Sequence, residues 1–235
     1  MAEIDLLRHY PRGKRKMEKP RSLDPANREM ALRFGAEYFD GKREQGYGGY
    51  RYDGRWVPIA RDIVAHFGLK SGNRVLDVGC AKGFLAKDLM AVCPGLQVYG
   101  LDISEYAIRH CEPEARGRLV VGTADRLPFR GGSFDVVLSI NTLHNLERER
   151  LIQALREMER LASARGYIQI DAYRNEAERE IFLGWVLTAK TFLRPQEWVA
   201  LFAEAGYKGD YYWTILEADP EWNDFNACDP ASAKH

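Results

Sequence analysis

The stretch Asp77-Val78-Gly79-Cys80-Ala81-Lys82-Gly83 begins at the end of a short apolar run, residues 74–78, and leads into a segment with helical spacing, residues 84–92. A short apolar run bounded by turn residues is typical of a buried strand. Gly79 allows a sharp turn there, and Gly83 allows close approach of a ligand to the start of the helix. With Ala81 also small, the stretch predicts a strand–loop–helix unit whose loop leaves its backbone open.

The same alternation continues along the chain. Further strands are predicted at 97–101, 119–121, 134–140, 167–170 and 211–216, and further helices at 105–111, 147–162, 177–190 and 195–205. Such alternation indicates an α/β fold with a mostly parallel, Rossmann-like doubly wound sheet and helices on both faces. Two more helices are predicted before the first strand, at 25–39 and 56–67, with the second closed by Gly68.

Composition agrees with a folded chain of one main domain. The chain has 235 residues, of which 46% are hydrophobic, which is too many for a disordered protein. Lys plus Arg equal Asp plus Glu at 34 each, and a neutral chain lacks the strongly basic signature of general nucleic-acid binding. The four cysteines form no C-x-x-C pair, so we expect a reduced, cytoplasmic setting without disulfides.

The charge is nevertheless unevenly distributed. Residues 8–21 carry seven basic side chains against one acid, Glu18. Runs of this kind are usually solvated arms, and an arm that binds RNA or phosphate is the more specific alternative. We therefore divide the chain into a basic flexible arm (1–24), an N-terminal helical and aromatic lid segment (25–70), the main domain (71–218) and a loosely ordered tail (219–235). The sequence shows neither a membrane-spanning run nor the apolar core of a secretory signal.

Three acids follow predicted strands. In an open parallel sheet, ligands bind beyond the carboxyl ends of the strands. Asp77 follows the first strand, where a pyrophosphate would be repelled and a positive centre attracted. Asp102, which follows the second strand, can accept both hydroxyls of a ribose. Asp125 follows the third strand and can accept the exocyclic amine of adenine. All three could instead be turn or helix-capping acids.

The four segments 75–83, 100–104, 123–129 and 133–139 together resemble class I S-adenosylmethionine-dependent methyltransferases. The resemblance implies S-adenosylmethionine as cofactor and a first cofactor loop built by Asp77, Gly79 and Gly83, with Ala81 where the family usually has glycine. It places the ribose on Asp102, with Ile103 packing on adenine. It assigns the adenine amine to Asp125 and the backbone of Ala124, and the methionine part to Asn141.

Two residues are candidates for a catalytic base. His144 follows the fourth strand and Asp171 the fifth, so both face the side where a methyl acceptor would lie. An imidazole there can remove a proton from an attacking hydroxyl or amine. His144 is equally well interpreted as an ordinary loop histidine, and Asp171 as a turn residue. The metal-dependent branch of the family has an acid after the fourth strand and an Asp-Asn pair after the fifth, where this chain has Asn141 and Asp171-Ala172, so no catalytic metal is expected.

The lid segment contains four glycines and three tyrosines within residues 46–54. Glycine hinges beside aromatic walls suit a lid that closes over the cofactor, and we assign Tyr50 to the cofactor site. Arg51 and Arg55 can bind the cofactor carboxylate or an anionic acceptor. The alternative is a packed aromatic turn without a binding role.

The sequence thus predicts an enzyme that transfers a methyl group to an oxygen or nitrogen of a small molecule, such as a sugar or another metabolite. An RNA methyltransferase that uses the basic arm is the first alternative, and a non-catalytic cofactor-binding module is the second. A nicotinamide oxidoreductase is disfavoured because its G-x-G-x-x-G loop is missing.

Overall fold

The structure is a computed structural model that describes residues 1–11 and 24–216. Most of the basic run and the tail from 219 onward lie outside the described residues. No described helix is long and apolar enough to cross a membrane.

A six-stranded sheet forms the centre of the molecule, and every pair of neighbouring strands is parallel. The strand order is β3-β2-β1-β4-β5-β6, as in dinucleotide-binding folds. The predicted fold class is therefore confirmed, and one strand follows Gly206 within the described residues. The strands are β1 (Arg74–Val78), β2 (Gln97–Asp102), β3 (Leu119–Val121), β4 (Val136–Ile140), β5 (Gly166–Asp171) and β6 (Asp210–Thr214).

Helices cover both faces of the sheet, because the central strands carry apolar side chains on both sides. On one face, α6 and α8 pack on β4 and β5 through residues such as Leu155 and Phe202. On the other face, α3 and α4 pack through residues such as Ile63 and Leu89. The helices are α1 (Pro25–Ala31), α2 (Ala36–Asp40), α3 (Val57–Phe67), α4 (Phe84–Val92), α5 (Glu105–Arg109), α6 (Arg148–Leu161), α7 (Glu176–Trp185) and α8 (Pro195–Ala205).

The first predicted helix, 25–39, is wrong as a single element. It is interrupted between α1 and α2, where Phe34 adopts a left-handed backbone with φ of 49°. The carbonyl of Phe34 accepts a hydrogen bond from Ser104 Oγ at 2.5 Å, and Gly35 precedes α2. A tertiary contact with the main domain therefore interrupts the helix that the spacing predicts.

The expectation of an arm with little structure is also wrong for the residues before 11. Ile4 N donates to the carbonyl of Tyr211 at 2.9 Å, and Glu3 forms a bridge beside β6. Leu6 and Leu7 are buried among apolar residues of α3 and β5. These apolar side chains fix the start of the chain, which covers the exposed edge of the sheet.

The strand order reverses between β1 and β4, since β2 lies on one side of β1 and β4 on the other. The loops that leave these two strands run to opposite faces, and they leave a crevice at the carboxyl ends of the strands. This crevice is the part of the fold where a ligand site is expected.

Candidate cofactor and acceptor site

A cavity of about 1700 Å³ opens at the carboxyl ends of the strands. Its walls come from the loops after β1, β2, β4 and β5, from the end of β6 and from residues 32–56 of the N-terminal region. Ten of the twelve predicted site residues line it: Tyr50, Asp77, Gly79, Ala81, Asp102, Ile103, Ala124, Asn141, His144 and Asp171. Gly83 and Asp125 do not.

The loop after β1 depends on its glycines for two different reasons. Gly79 has φ of 86°, and a Cβ there would lie 2.0 Å from Thr142 Oγ1, so no other residue fits between β1 and the β4 loop. Gly83 also has positive φ, but a Cβ there would meet Leu119 and Ala115 at 2.9 and 3.0 Å. Gly83 therefore allows packing beneath the loop, and the close approach of a ligand to this residue stays a prediction.

Asp102 joins the loops after β1 and β2. Its Oδ2 accepts from the backbone N–H of Ala81 and its Oδ1 from that of Ser104, both at 2.8 Å. Burial raises the pKa of Asp102, and these backbone hydrogen bonds oppose the rise. The backbone of Ala81 is strained, because its φ of 49° lies in the left-handed region that favours glycine. Next to this carboxylate, Ile103 is about half exposed and offers an apolar surface at the rim.

Asp77 is buried and lines the cavity, and its carboxyl forms no hydrogen bond or ion pair with any residue in 1–11 or 24–216. Burial, together with the nearby charge of Asp102, raises the pKa of Asp77 to about 7. A buried carboxyl without a partner is costly unless a ligand compensates it. A cationic ligand group would do so, which fits the sulfonium and ammonium of S-adenosylmethionine.

Asp125 is not brought together with the other acids. Its carboxylate accepts two hydrogen bonds from Arg150 of α6, at 2.6 and 3.0 Å, and this contact lowers the pKa of Asp125. The expected contact with the adenine amine therefore has no support in the structure. Ala124, one residue earlier, does line the cavity.

Asn141 stands at the end of β4 with a left-handed backbone, φ of 49°. Its side-chain oxygen accepts a hydrogen bond from Thr214 Oγ1 at 2.8 Å. Thr142, Gln169 and Thr214 also line the cavity, and sequence reasoning missed all three. The available signal was a polar side chain in an otherwise apolar strand, which Gln169 in particular shows.

His144 and Asp171 meet at the inner wall, with His144 Nε2 at 3.3 Å from Asp171 Oδ2. Burial lowers the pKa of His144 to about 3 and raises that of Asp171 to about 8, so both neutral forms are favoured. The opposite nitrogen, Nδ1, is buried and has no hydrogen-bond partner among the described residues.

The N-terminal region is tied to the cofactor loop by a buried lysine. Lys82 Nζ donates to both carboxylate oxygens of Asp40, at 2.8 and 2.7 Å, and to the carbonyl of Tyr50 at 3.1 Å. The Tyr106 hydroxyl also donates to Asp40, at 2.7 Å. The ring of Tyr50 stacks on Phe84, the first residue of α4, with ring centroids 4.7 Å apart. These contacts hold Tyr50 against the wall of the cavity.

The two arginines of this region differ. Arg55 is engaged, because it donates to Asp53 at 2.7 Å and to the Tyr10 hydroxyl at 3.4 Å. Arg51 is exposed, lines the cavity and forms no ion pair or hydrogen bond within the described part of the chain. Of the pair, Arg51 is the one available to a bound anion.

The comparisons with known proteins agree with this geometry. A family model described as "Methyltransferase domain" matches residues 76–170. A demethylmenaquinone methyltransferase of Geobacillus kaustophilus is 34% identical over 48% of this chain and 50% of its own length. A tRNA (carboxymethyluridine(34)-5-O)-methyltransferase of Arabidopsis thaliana is 29% identical over 62% of this chain and 34% of its own. The chain thus spans half or less of the length of these curated relatives.

A similar solved structure, the YcgJ protein from Bacillus subtilis, has a TM-score of 0.52 and 21% identity. The match covers 62% of this chain and 66% of that one, and it concerns the fold alone. The family match spans β1 to β5 and so contains the loops that carry Asp77 and Asp102. Residues 76–170 thus match a methyltransferase domain, and they carry the loops that resemble those of class I S-adenosylmethionine-dependent methyltransferases.

Proposed function

We propose that this protein transfers a methyl group from S-adenosylmethionine to an oxygen or nitrogen of a small molecule. The observation that carries the proposal is the pair of buried acids at adjacent strand ends. Asp77 has no partner among the described residues, and Asp102 is held by two backbone N–H groups. Asp77 suits a cationic group, and Asp102 suits the two hydroxyls of a ribose.

When bound, the cofactor would supply an electrophilic methyl carbon, which a lone pair of the acceptor would attack in line while the carbon–sulfur bond breaks and the sulfur leaves as a neutral thioether. The residues of the chain contribute position above all, because holding the reacting groups in line removes most of the entropic barrier. Asp102 orients the ribose, Asp77 stabilises the cationic end, and Arg51 pairs with the carboxylate or with an anionic acceptor. Tyr50 and its aromatic neighbours exclude water.

The His144–Asp171 pair is our candidate for the proton acceptor. Both residues line the cavity beyond the cofactor loop, on the side of β4 and β5. The pair can take a proton from an acceptor hydroxyl or ammonium once Asp171 has ionised, and its raised pKa confines this to mildly alkaline pH. An acceptor that arrives as an anion needs no base.

Side chains that meet across the cavity favour a small acceptor. Arg43 lies over the ring of Trp185, 5.0 Å from its centroid, and so joins the N-terminal region to α7 across the cavity. Aromatic side chains from both sides line the same space, among them Tyr47 and Trp213. Aromatic side chains on two sides of the cavity suit a metabolite that packs between them.

RNA is the second candidate acceptor, because one relative is named as a tRNA methyltransferase and residues 8–21 are basic. The two candidates are separated by measuring conversion of S-adenosylmethionine to S-adenosylhomocysteine with a metabolite library and with total tRNA. Turnover with tRNA that falls steeply with added salt would favour RNA. Absence of turnover with either, despite cofactor binding, would favour a binding module.

Cofactor binding itself is tested by calorimetry with S-adenosylhomocysteine. We expect Asp102→Ala to raise the Kd at least tenfold, because hydrogen bonds to a carboxylate contribute roughly 1.5–3 kcal/mol each. Asp125→Ala is the matched control, since Asp125 also follows a strand but does not line the cavity. Unchanged affinity in Asp102→Ala, or an equal loss in both variants, would refute the ribose assignment.

A further inference from the structure

The loop that follows α7 is held against the segment that carries the candidate base. The backbone N–H groups of Lys190 and Thr191 both donate to the carbonyl of His144, at 2.9 and 3.0 Å. Arg28 of α1 also donates to this loop, from its guanidinium to the carbonyl of Ala189 at 3.3 Å. These bonds fix the loop to His144 and to the N-terminal region, so its side chains keep a defined place in the cavity wall.

Thr188 lies in this loop, two residues before Lys190, and its hydroxyl has no partner. The residue is 4% exposed and lines the cavity, and its hydroxyl forms no hydrogen bond with any residue in 1–11 or 24–216. A hydroxyl can both donate and accept, and buried hydroxyls in proteins are normally paired. Because Thr188 lines the cavity, a bound molecule can supply the missing partner.

The same part of the wall carries two further polar side chains, His144 and Asp171. Nδ1 of His144 is buried without a partner among the described residues, and Nε2 lies 3.3 Å from the Asp171 carboxyl. Trp185 and Leu187 line the cavity from the end of α7 and the loop itself. A few polar groups on a largely apolar surface suit a ligand of the same kind, with an apolar body and few polar groups.

The basic side chains that adjoin this part of the wall are engaged by acids. Lys190 Nζ lies 3.7 Å from Glu147, and Arg174 Nε donates to Glu178 at 2.8 Å. Neither acid lines the cavity, so both contacts draw positive charge away from it. An anionic acceptor would therefore lie beside the carboxyl of Asp171 without a matching cation, which is unfavourable in a buried position.

The number of lone pairs separates a hydroxyl from an amine as the attacking group. A hydroxyl oxygen has two lone pairs, so it can accept from Thr188 with one and attack the methyl carbon with the other. An uncharged amine has a single lone pair, and an ammonium has none until it loses a proton. A hydroxyl can therefore be held by the Thr188 proton during the attack, whereas an amine cannot.

We propose that Thr188 is a specificity-determining residue that binds the methyl acceptor, and that this acceptor is an uncharged molecule with a hydroxyl on an apolar body. During transfer the hydroxyl oxygen bonds to the methyl carbon while the carbon–sulfur bond breaks. The hydroxyl proton passes to the His144–Asp171 pair, and the sulfur leaves as a neutral thioether. The inference rests on the proposed function, because it requires methyl transfer in this cavity.

The acceptor class is tested with a panel in which each apolar body occurs as an alcohol or phenol, as an amine and as a carboxylate. Methyl transfer by the full chain is measured as S-adenosylhomocysteine formed. We expect turnover with hydroxyl members of the panel and far less with the amine and the carboxylate of the same body. Turnover confined to amines, carboxylates or tRNA would overturn the inference and leave methyl transfer itself standing.

The role of Thr188 is tested with the best hydroxyl acceptor. Thr188→Val removes the hydroxyl at nearly constant shape. We expect it to raise the KM for the acceptor about tenfold and to leave the Kd for S-adenosylhomocysteine within twofold, because the hydroxyl binds the acceptor alone. Thr188→Ser keeps the hydroxyl and should restore a low KM.

A matched control separates binding from a general effect of losing a hydroxyl. The Ser133 hydroxyl is also buried without a partner among the described residues, but Ser133 does not line the cavity. Ser133→Ala should therefore leave the KM unchanged. An unchanged KM in Thr188→Val, or an equal rise in both variants, would overturn the inference. A chain that binds no S-adenosylhomocysteine, or that binds it and turns over no acceptor of any class, would instead refute the proposed function.

Discussion

At the scale of single residues, the sequence predicted which side chains lie at the ends of strands. It did not predict which partners those side chains contact. Asp77 and Asp102 line the cavity as expected, because the carboxyl ends of parallel strands meet at one edge. Asp125 also follows a strand, yet Arg150 of a later helix occupies its carboxylate. Thr214 was missed because nothing in its neighbourhood along the chain indicates that it lies beside Asn141. Both failures concern contacts between residues 25 or more positions apart.

Asp77 allows a prediction about proton release. Its pKa is raised to about 7, so a substantial fraction of the free protein is protonated there at pH 6. A cation bound beside the carboxyl favours the ionised form. Binding of S-adenosylmethionine should therefore release a proton, and its Kd should rise up to about tenfold between pH 8 and pH 6.

This linkage is measured by calorimetry in buffers of different ionisation enthalpy. Asp77→Asn should bind S-adenosylmethionine more weakly at pH 8 and show no proton release from this site. Asp125→Asn serves as the control and should keep the wild-type pH dependence, because Asp125 lies outside the cavity wall. Identical proton release in Asp77→Asn and wild type would exclude Asp77 as the group that senses the cation.

At the scale of elements, periodicity located nearly every helix and strand, and tertiary contacts decided their ends. The helix predicted at 84–92 coincides with α4, since Gly83 and an apolar run set its limits. The helix predicted at 25–39 is interrupted because Ser104, 70 positions away, binds the carbonyl of Phe34. Such a bond is not encoded in local spacing, so the boundary could not be predicted from the segment itself.

The contact between α2 and the cofactor loop allows a prediction about closure. Lys82 is the buried group that joins Asp40 and Tyr50 to the loop after β1. Lys82→Met keeps the length of the side chain and removes these bonds. We expect faster amide hydrogen exchange in residues 36–52, and dissociation of S-adenosylhomocysteine several-fold faster than in wild type, because charged hydrogen bonds stabilise the closed form by roughly 1.5–3 kcal/mol.

The pairwise contribution is isolated by a double-mutant cycle with Asp40→Asn. If the ion pair carries the effect, the double variant should exchange and dissociate little faster than Lys82→Met alone. Fully additive effects on dissociation would show that Lys82 acts on the loop independently of Asp40. The cycle also distinguishes a lid from a packed aromatic turn, because only a lid couples this contact to ligand release.

At the scale of the whole molecule, the parallel sheet could be predicted from the alternation of apolar strands and helices. The position of the first residues of the chain could not be predicted from the sequence. Residues 2–7 pack beside β6 and α3 although the sequence there is mixed in polarity. The topology also brings His144 and Asp171 together from the ends of two adjacent strands, at 3.3 Å in a buried position. Two titratable groups held neutral by burial must affect the stability of the entire fold.

Asp171 and His144 affect the pH dependence of folding stability with opposite signs. Asp171 is protonated in the native state up to about pH 8 and in the unfolded chain only to about pH 4, so its contribution to stability falls as pH rises between these values. His144 is neutral in the native state down to about pH 3, whereas the unfolded residue binds a proton below about 6.5, so its contribution rises from pH 3 to 6.5. The two cancel between about pH 4 and 6.5, and only the loss from Asp171 remains from 6.5 to 8.

Asp171→Asn should remove that remaining loss, because an amide does not titrate. We expect the free energy of unfolding of the variant to gain about 2 kcal/mol on wild type between pH 6.5 and pH 8, from about 1.4 kcal/mol per pH unit. Urea unfolding at both pH values measures the gain. Glu149→Gln, which changes an exposed carboxyl on α6, should run parallel to wild type. A parallel course for Asp171→Asn as well would mean that the Asp171 carboxyl is already ionised in the native protein at pH 6.5 and is available as a base at neutral pH.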